Sequence, residues 1–93
     1  MTASINVKII GKVQGVFFRV YAREKALKLG LSGWIKNQPD GSVILFASGE
    51  KEKLKIFLAY LKKGTPMSRV EKIKTDWRKE ASLLKLNNFE ILK

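Results

Sequence analysis

The sequence predicts an α+β domain. The order is β-α-β-β-α-β with a short extra strand at the C-terminal end, and the layers are a mainly antiparallel sheet and two helices on one of its faces. Three observations predict it. Ile5, Val7 and Ile9 alternate with Asn6 and Lys8, the period of a half-buried strand. The apolar period then lengthens to helical spacing twice, at Phe18, Ala22, Ala26 and Leu29 and again at Leu54, Phe57, Leu58 and Leu61. Finally, 93 residues, 45% of them hydrophobic, suit one core rather than two, because a chain of this size buries roughly 60–65% of its unfolded surface. Residues 1–93 therefore read as a single domain. A split β-α-β sandwich with the first and third strands central packs these elements economically.

The first strand runs through Ile5–Ile9 and is expected to close at Gly11. The first helix follows Gly15 and ends before Gly30-Leu31, a left-handed glycine followed by a hydrophobic contact. Trp34 and Ile35 suit a second strand, and Ser42–Ala47 a return strand. Between them Pro39-Asp40-Gly41 forms a turn, Pro presetting one dihedral and Asp-Gly tolerating positive φ. Glu50 and Glu52 are expected in the first turn of the second helix, complementing its dipole, with Lys62 and Lys63 in the last turn. Gly64 and Pro66 stop that helix. Val70–Trp77 reads as a fourth strand in which Val70 and Ile73 break the alternation and imply a bulge. The polar stretch 78–86 shows no clean period, and Phe89 and Ile91 suggest a short last strand.

Composition limits the chemistry. There is no cysteine and no histidine, which excludes disulfides, thiol nucleophiles, thiolate or imidazole metal sites and every Ser-His or Cys-His dyad. Catalysis would fall to Arg, Lys, Asn, backbone dipoles or carboxylates. The net charge of +11 favours anionic partners. It is spread evenly, +5 over residues 1–48 and +6 over 49–93, with no basic arm, which weakens a nucleic-acid reading without removing it, and a nucleic-acid partner is not expected. The gap-free apolar run Val43–Ala47 is far short of the roughly 20 residues of a membrane span. The segment Met1–Asn6 has neither a charged nor an apolar signal region, and a cytoplasmic location without membrane association is expected.

One constellation stands out. Gly11-Lys12-Val13-Gln14-Gly15-Val16-Phe17-Phe18-Arg19 joins the first strand to the first helix. A short loop feeding a helix N-terminus aims several N–H groups one way, and Gly15 permits the curl that turns them inward around an anion. Arg19, in the first turn, could close over the same anion bidentately. An arginine there opposes the helix dipole, which mildly favours a functional role. The spacing is neither a Walker A loop nor a dinucleotide fingerprint. On the residues alone an ordinary glycine-bearing loop with a surface arginine is the commoner outcome.

The same residues carry a resemblance. Gly11-x-Val13-Gln14-Gly15-Val16-x-Phe18-Arg19, followed by Gly33-Trp34-Ile35-x-Asn37, resembles the acylphosphatase family, and Asp40-Gly41-x-Val43 and Ser68-Arg69-Val70 extend the likeness along nearly the whole chain. The resemblance implies a ferredoxin-like sandwich and a hydrolase that cleaves the carboxyl–phosphate anhydride of acyl phosphates. It implies that Arg19 binds the phosphate, that Asn37 positions the attacking water, and that the backbone amides of Gln14, Gly15, Val16, Phe17, Phe18 and Arg19 hold the phosphoryl oxygens. Ile35 where the family commonly has Val, Phe17 at a variable position, and Ser48 before Gly49 are the departures.

The implied chemistry suits the composition. A carboxylate is already a good leaving group, so positioning and charge stabilisation suffice, and a substrate phosphate oxygen can take the proton from water. No metal and no cofactor is implied. The expected partners are a small acyl phosphate and inorganic phosphate, the latter as product and inhibitor, and a monomer is expected. An RNA-recognition module shares this fold class, but the third strand lacks the aromatic run such modules display. A structural or regulatory domain that kept the fold, or a piece of a carbamoyl-phosphate-handling machine, is the other rival. Trp34 and Trp77 read as core or sheet-face aromatics, Lys51, Lys53 and Lys55 as a solvated helix face, and Lys36 as an outward strand residue.

Overall fold

The computed structural model describes residues 2–78 and 88–92. Within them run β1 (Thr2–Lys12), α1 (Phe18–Lys28), β2 (Ser32–Asn37), β3 (Val43–Glu50), α2 (Lys51–Lys63), β4 (Arg69–Arg78) and β5 (Phe89–Leu92). The sheet order is β4-β1-β3-β2-β5. Every neighbouring pair is antiparallel except β2–β5, which is parallel. This is the expected ferredoxin-like sandwich, with β1 and β3 inside the sheet and the short last strand added beside β2. Since β1 and β2 both run against β3, their C-terminal ends lie at one end of the sheet. β5, parallel to β2, ends there too. That end carries the loop into α1.

The helices share one face because both apolar stripes need the same cover. Ile5, Val7, Ile9, Ile35, Val43 and Leu45 from alternate strand positions are buried against Phe18, Ala22 and Ala26 of α1 and Leu54, Phe57 and Leu61 of α2. Phe89 of β5 joins them, its ring meeting that of Phe57 edge-on at 5.9 Å. Each of these side chains larger than alanine contributes about 1.5–3 kcal/mol by leaving water. The opposite positions, among them Asn6, Lys8, Trp34 and Ile44, line the helix-free face. Trp34 is thus a sheet-face aromatic. Trp77 stands opposite Ile5 on the edge strand and is exposed. Lys51, Lys53 and Lys55 are exposed, as a solvated face requires. Among the described residues no helix is long and apolar enough to cross a membrane.

The end of α1 follows the sequence closely. Gly30 takes φ 71°, its N–H donates to Leu27 O at 3.1 Å, and Leu31 N–H reaches back to Ala26 O at 2.8 Å. These are the paired bonds of a Schellman stop. The bulge also appears: the β1–β4 register shifts between Ile10 and Gly11, opposite Lys72 and Val70.

Four expectations need correction. Gly11 does not close β1, which continues to Lys12. At φ 141° it sits against the bulge, where a Cβ would run into the carbonyl of Arg69, so its glycine serves close approach rather than termination. β3 runs three residues past Ala47, because Ser48, Gly49 and Glu50 pair with Ser4, Ala3 and Thr2. Glu50 is consequently the extended N-cap of α2 and not part of its first turn, leaving Glu52 there alone. In the Pro39-Asp40-Gly41 turn only Gly41 has positive φ, 91°. Asp40 turns the chain through its side chain instead, accepting from Ser42 N–H at 2.9 Å and from the Ser42 hydroxyl. The stretch 78–86 falls outside the described residues save Arg78, which closes β4.

Candidate active site

The loop between β1 and α1 is held in an unusual shape. Gly15 has φ 70°, and Phe17, the N-cap of α1, has φ 60° and ψ 19°. Two left-handed residues within three positions turn successive amides to one side, the geometry of an anion nest. Glycine takes that conformation freely, whereas a phenylalanine there carries roughly 1–3 kcal/mol of strain. The neighbours hold it. Val16 and Phe18 on either side are buried, and Val16 O accepts the Thr65 hydroxyl at 3.2 Å. Phe17 itself is 80% exposed.

The helix beyond starts without a cap. Its first turn is closed by Tyr21 N–H to Phe17 O, 3.0 Å, so the amides of Phe18, Arg19 and Val20 have no intrahelical acceptor. Phe17 offers no side-chain capping bond, and no acid stands in the first turn. The positive end of α1 is therefore balanced by nothing on α1, and an anion would serve there. Arg19, one residue into α1, is partly buried and donates to Leu92 O at 3.2 Å. That bond uses one of five guanidinium N–H donors. Gly15, Phe17, Phe18 and Arg19 together line a cavity of about 280 Å³ completed by Val13, Val20 and Ile91.

Asn37 ends β2 at the same end of the sheet. Its Oδ1 is buried and has no hydrogen-bond partner among the described residues, an uncommon state for a buried acceptor. Two tethers relate it to the cup. Leu92, which Arg19 grips, stands beside Lys36 in the β2–β5 ladder. Gln14 Nε2 donates to Gln38 O at 2.7 Å and to Ser42 O at 2.9 Å, clasping the turn that follows Asn37.

Of the six residues expected to bind phosphate, the structure brings Gly15, Phe17, Phe18 and Arg19 to one cavity. The Gln14 side chain points to the β2–β3 turn, and the Val16 side chain is buried; neither lines the cavity. Sequence reasoning missed the left-handed Phe17, the Thr65 tether and the Arg19–Leu92 bond, since none carries a local signal. Nearby, Asp40 accepts from Ser42 and pairs with Lys8 at 3.1 Å. The Ser42 hydroxyl, then its amide, then Lys8 hold its carboxyl down to about 2. A larger basin of about 370 Å³ lies on the helix-free face and contains Trp34 as its sole motif residue. Among the described residues no three acids, cysteines or histidines gather closely enough to hold a metal ion.

Comparison with known proteins agrees with this fold. The family model described as Acylphosphatase matches residues 5–91. An acylphosphatase of Thermus thermophilus is 51% identical over 73 residues, 78% of this chain and 83% of the relative. One of Methylococcus capsulatus is 39% identical over 89 residues, covering 96% and 95% of the two chains. The crystal structure of acylphosphatase from Bacillus subtilis superposes with a TM-score of 0.91 at 34% identity, covering 98% of this chain and 99% of that one.

Proposed function

The chain belongs to the acylphosphatase family, and from that premise we propose how its own residues divide the hydrolysis of an acyl phosphate. The phosphoryl group sits in the nest, its equatorial oxygens on the amides of residues 14–19 and the Arg19 guanidinium. Donors held in position before reaction would stabilise the transition state without reorganising. Asn37 Oδ1 accepts a hydrogen bond from water and holds it in line with the bond to be broken. The water oxygen bonds to phosphorus, the bond from phosphorus to the carboxyl oxygen breaks, and the carboxylate departs with that electron pair. The water's proton passes to a phosphate oxygen. A carboxylate leaving group needs no acid, and Arg19 with the amides supplies the charge a metal would otherwise bring.

The uncapped N-terminus of α1 beneath Arg19 is the observation that carries this reading, and the position of Asn37 at the same end of the sheet supports its second half. Hydrolysis of benzoyl phosphate, followed in the ultraviolet, tests it. Activity is expected to survive EDTA, with inorganic phosphate a competitive inhibitor. Loss on chelation with rescue by a divalent ion, or noncompetitive inhibition, would contradict it.

A further inference from the structure

The residues that complete the cavity differ in character from those that form its floor. Val13 and Phe18 are buried beneath it. Phe17, Val20 and Ile91 stand at its mouth, 80%, 47% and 37% exposed. A single exposed apolar side chain needs no explanation, but three around one opening form a patch of the kind that binds a ligand. Their placement is structural. The left-handed backbone at Phe17 directs its ring into solvent, and Val20, three residues on, falls on the same side of α1. Ile91 is brought to them by β5, whose end Arg19 grips at Leu92.

We infer that this mouth is an acyl-group subsite that selects acyl phosphates with an uncharged, apolar acyl part, and that Phe17, Val20 and Ile91 set the choice. The inference rests on the reading above, in which the amides and Arg19 take the phosphate. With Arg19 so engaged, no other charged residue among those described lines the cavity. A carboxylate on the acyl group would then lose water without gaining a partner, a costly exchange, whereas a ring or alkyl group would cover exposed apolar surface and gain by it. At about 280 Å³ the cavity sits at the small end of ligand sites, about 300–1,000 Å³, which suits a compact acyl group.

The test compares kcat/KM for benzoyl, acetyl and succinyl phosphate in the unmodified chain, Phe17→Asn and Val20→Thr. Asn tolerates the left-handed backbone, and Val20→Thr keeps the branched shape at an exposed position. Benzoyl phosphate should lead acetyl phosphate by about tenfold, the effect of covering part of one ring, and succinyl phosphate should not exceed acetyl phosphate. The benzoyl-to-acetyl ratio should fall about threefold or more in each variant. Binding should follow suit, with benzylphosphonate inhibiting more tightly than methylphosphonate and losing that lead in the variants. Succinyl phosphate matching benzoyl phosphate, or an unchanged ratio in both folded variants, overturns the inference alone. Hydrolysis of none of the three overturns the reading above along with it.

Discussion

Replacing Gln14 by Met removes the clasp between the β1–α1 loop and the β2–β3 turn at nearly constant volume. Two bonds are lost, 2.7 Å to Gln38 O and 2.9 Å to Ser42 O. Both carbonyls keep another donor, since Gly41 N–H reaches Gln38 O at 3.1 Å and Gln38 N–H reaches Ser42 O at 2.8 Å. No orphaned acceptor results, so the net value of a hydrogen bond applies, about 0.5–1.5 kcal/mol each. The sum is about 1–3 kcal/mol, and Tm should fall by about 5–15 °C for a domain of this size. The catalytic effect is separate. Gln38 directly follows Asn37, so the freed turn lets Asn37 shift relative to the cup, and a displacement near 1 Å costs up to about 10²-fold in rate. The cup itself stays pinned through Val16 and Thr65. Circular dichroism on heating gives Tm, and the benzoyl phosphate assay gives kcat with the phosphate inhibition constant. A drop in kcat of about tenfold or more with phosphate inhibition near that of the unmodified chain is expected. Unchanged Tm and kcat, or inhibition weakened as much as kcat, would refute the reasoning.

Gly33→Ala should be severely destabilising. At φ 151° a Cβ there meets the backbone carbonyl of Phe46 across the β2–β3 pair, and neither strand can retreat, so a loss above about 3 kcal/mol in urea unfolding is expected. Asp40 should shape the acid limb of stability. Its carboxyl is lowered from 3.8 to about 2 in the fold, so its contribution is complete above about 4, fades as pH falls through that window and is gone below about 2. Asp40→Asn should flatten the stability profile between pH 2 and 4, read by thermal unfolding in a pH series; an unaltered slope there would mean that Asp40 is not held as described.

The elements legible in the sequence are those specified by neighbours along the chain. The Schellman stop at Gly30-Leu31 needs only a glycine and the apolar residue after it. The buried residues Leu54, Phe57 and Leu61 show the helical period of α2 directly. β3 extends beyond its apolar alternation because its last residues, Ser48, Gly49 and Glu50, carry none and are strand only through pairing with β1. The position of the cup was legible for a similar reason, as Gly15 followed by a helix is a local pattern. Its detailed shape was not. Nothing in a phenylalanine announces positive φ, and Phe17 holds it because Val16 and Phe18 are anchored on either side. Gln14 illustrates the same limit, its target carbonyls lying 24 and 28 residues away.

In the proposed mechanism Arg19 and Asn37 divide the work between phosphate and water, and the paired kinetics of Arg19→Gln and Asn37→Ala test that division most directly. A charge-assisted hydrogen bond is worth about 1.5–3 kcal/mol, and loss of a preorganised donor costs about 10²–10³ in rate. Arg19→Gln should therefore weaken phosphate inhibition and lower kcat together. Asn37→Ala should lower kcat by a similar factor and leave phosphate inhibition near that of the unmodified chain, because in the proposed mechanism its carboxamide meets the water rather than the anion. A folded Asn37→Ala enzyme that keeps full kcat, or that loses phosphate binding as severely as Arg19→Gln, would contradict the account.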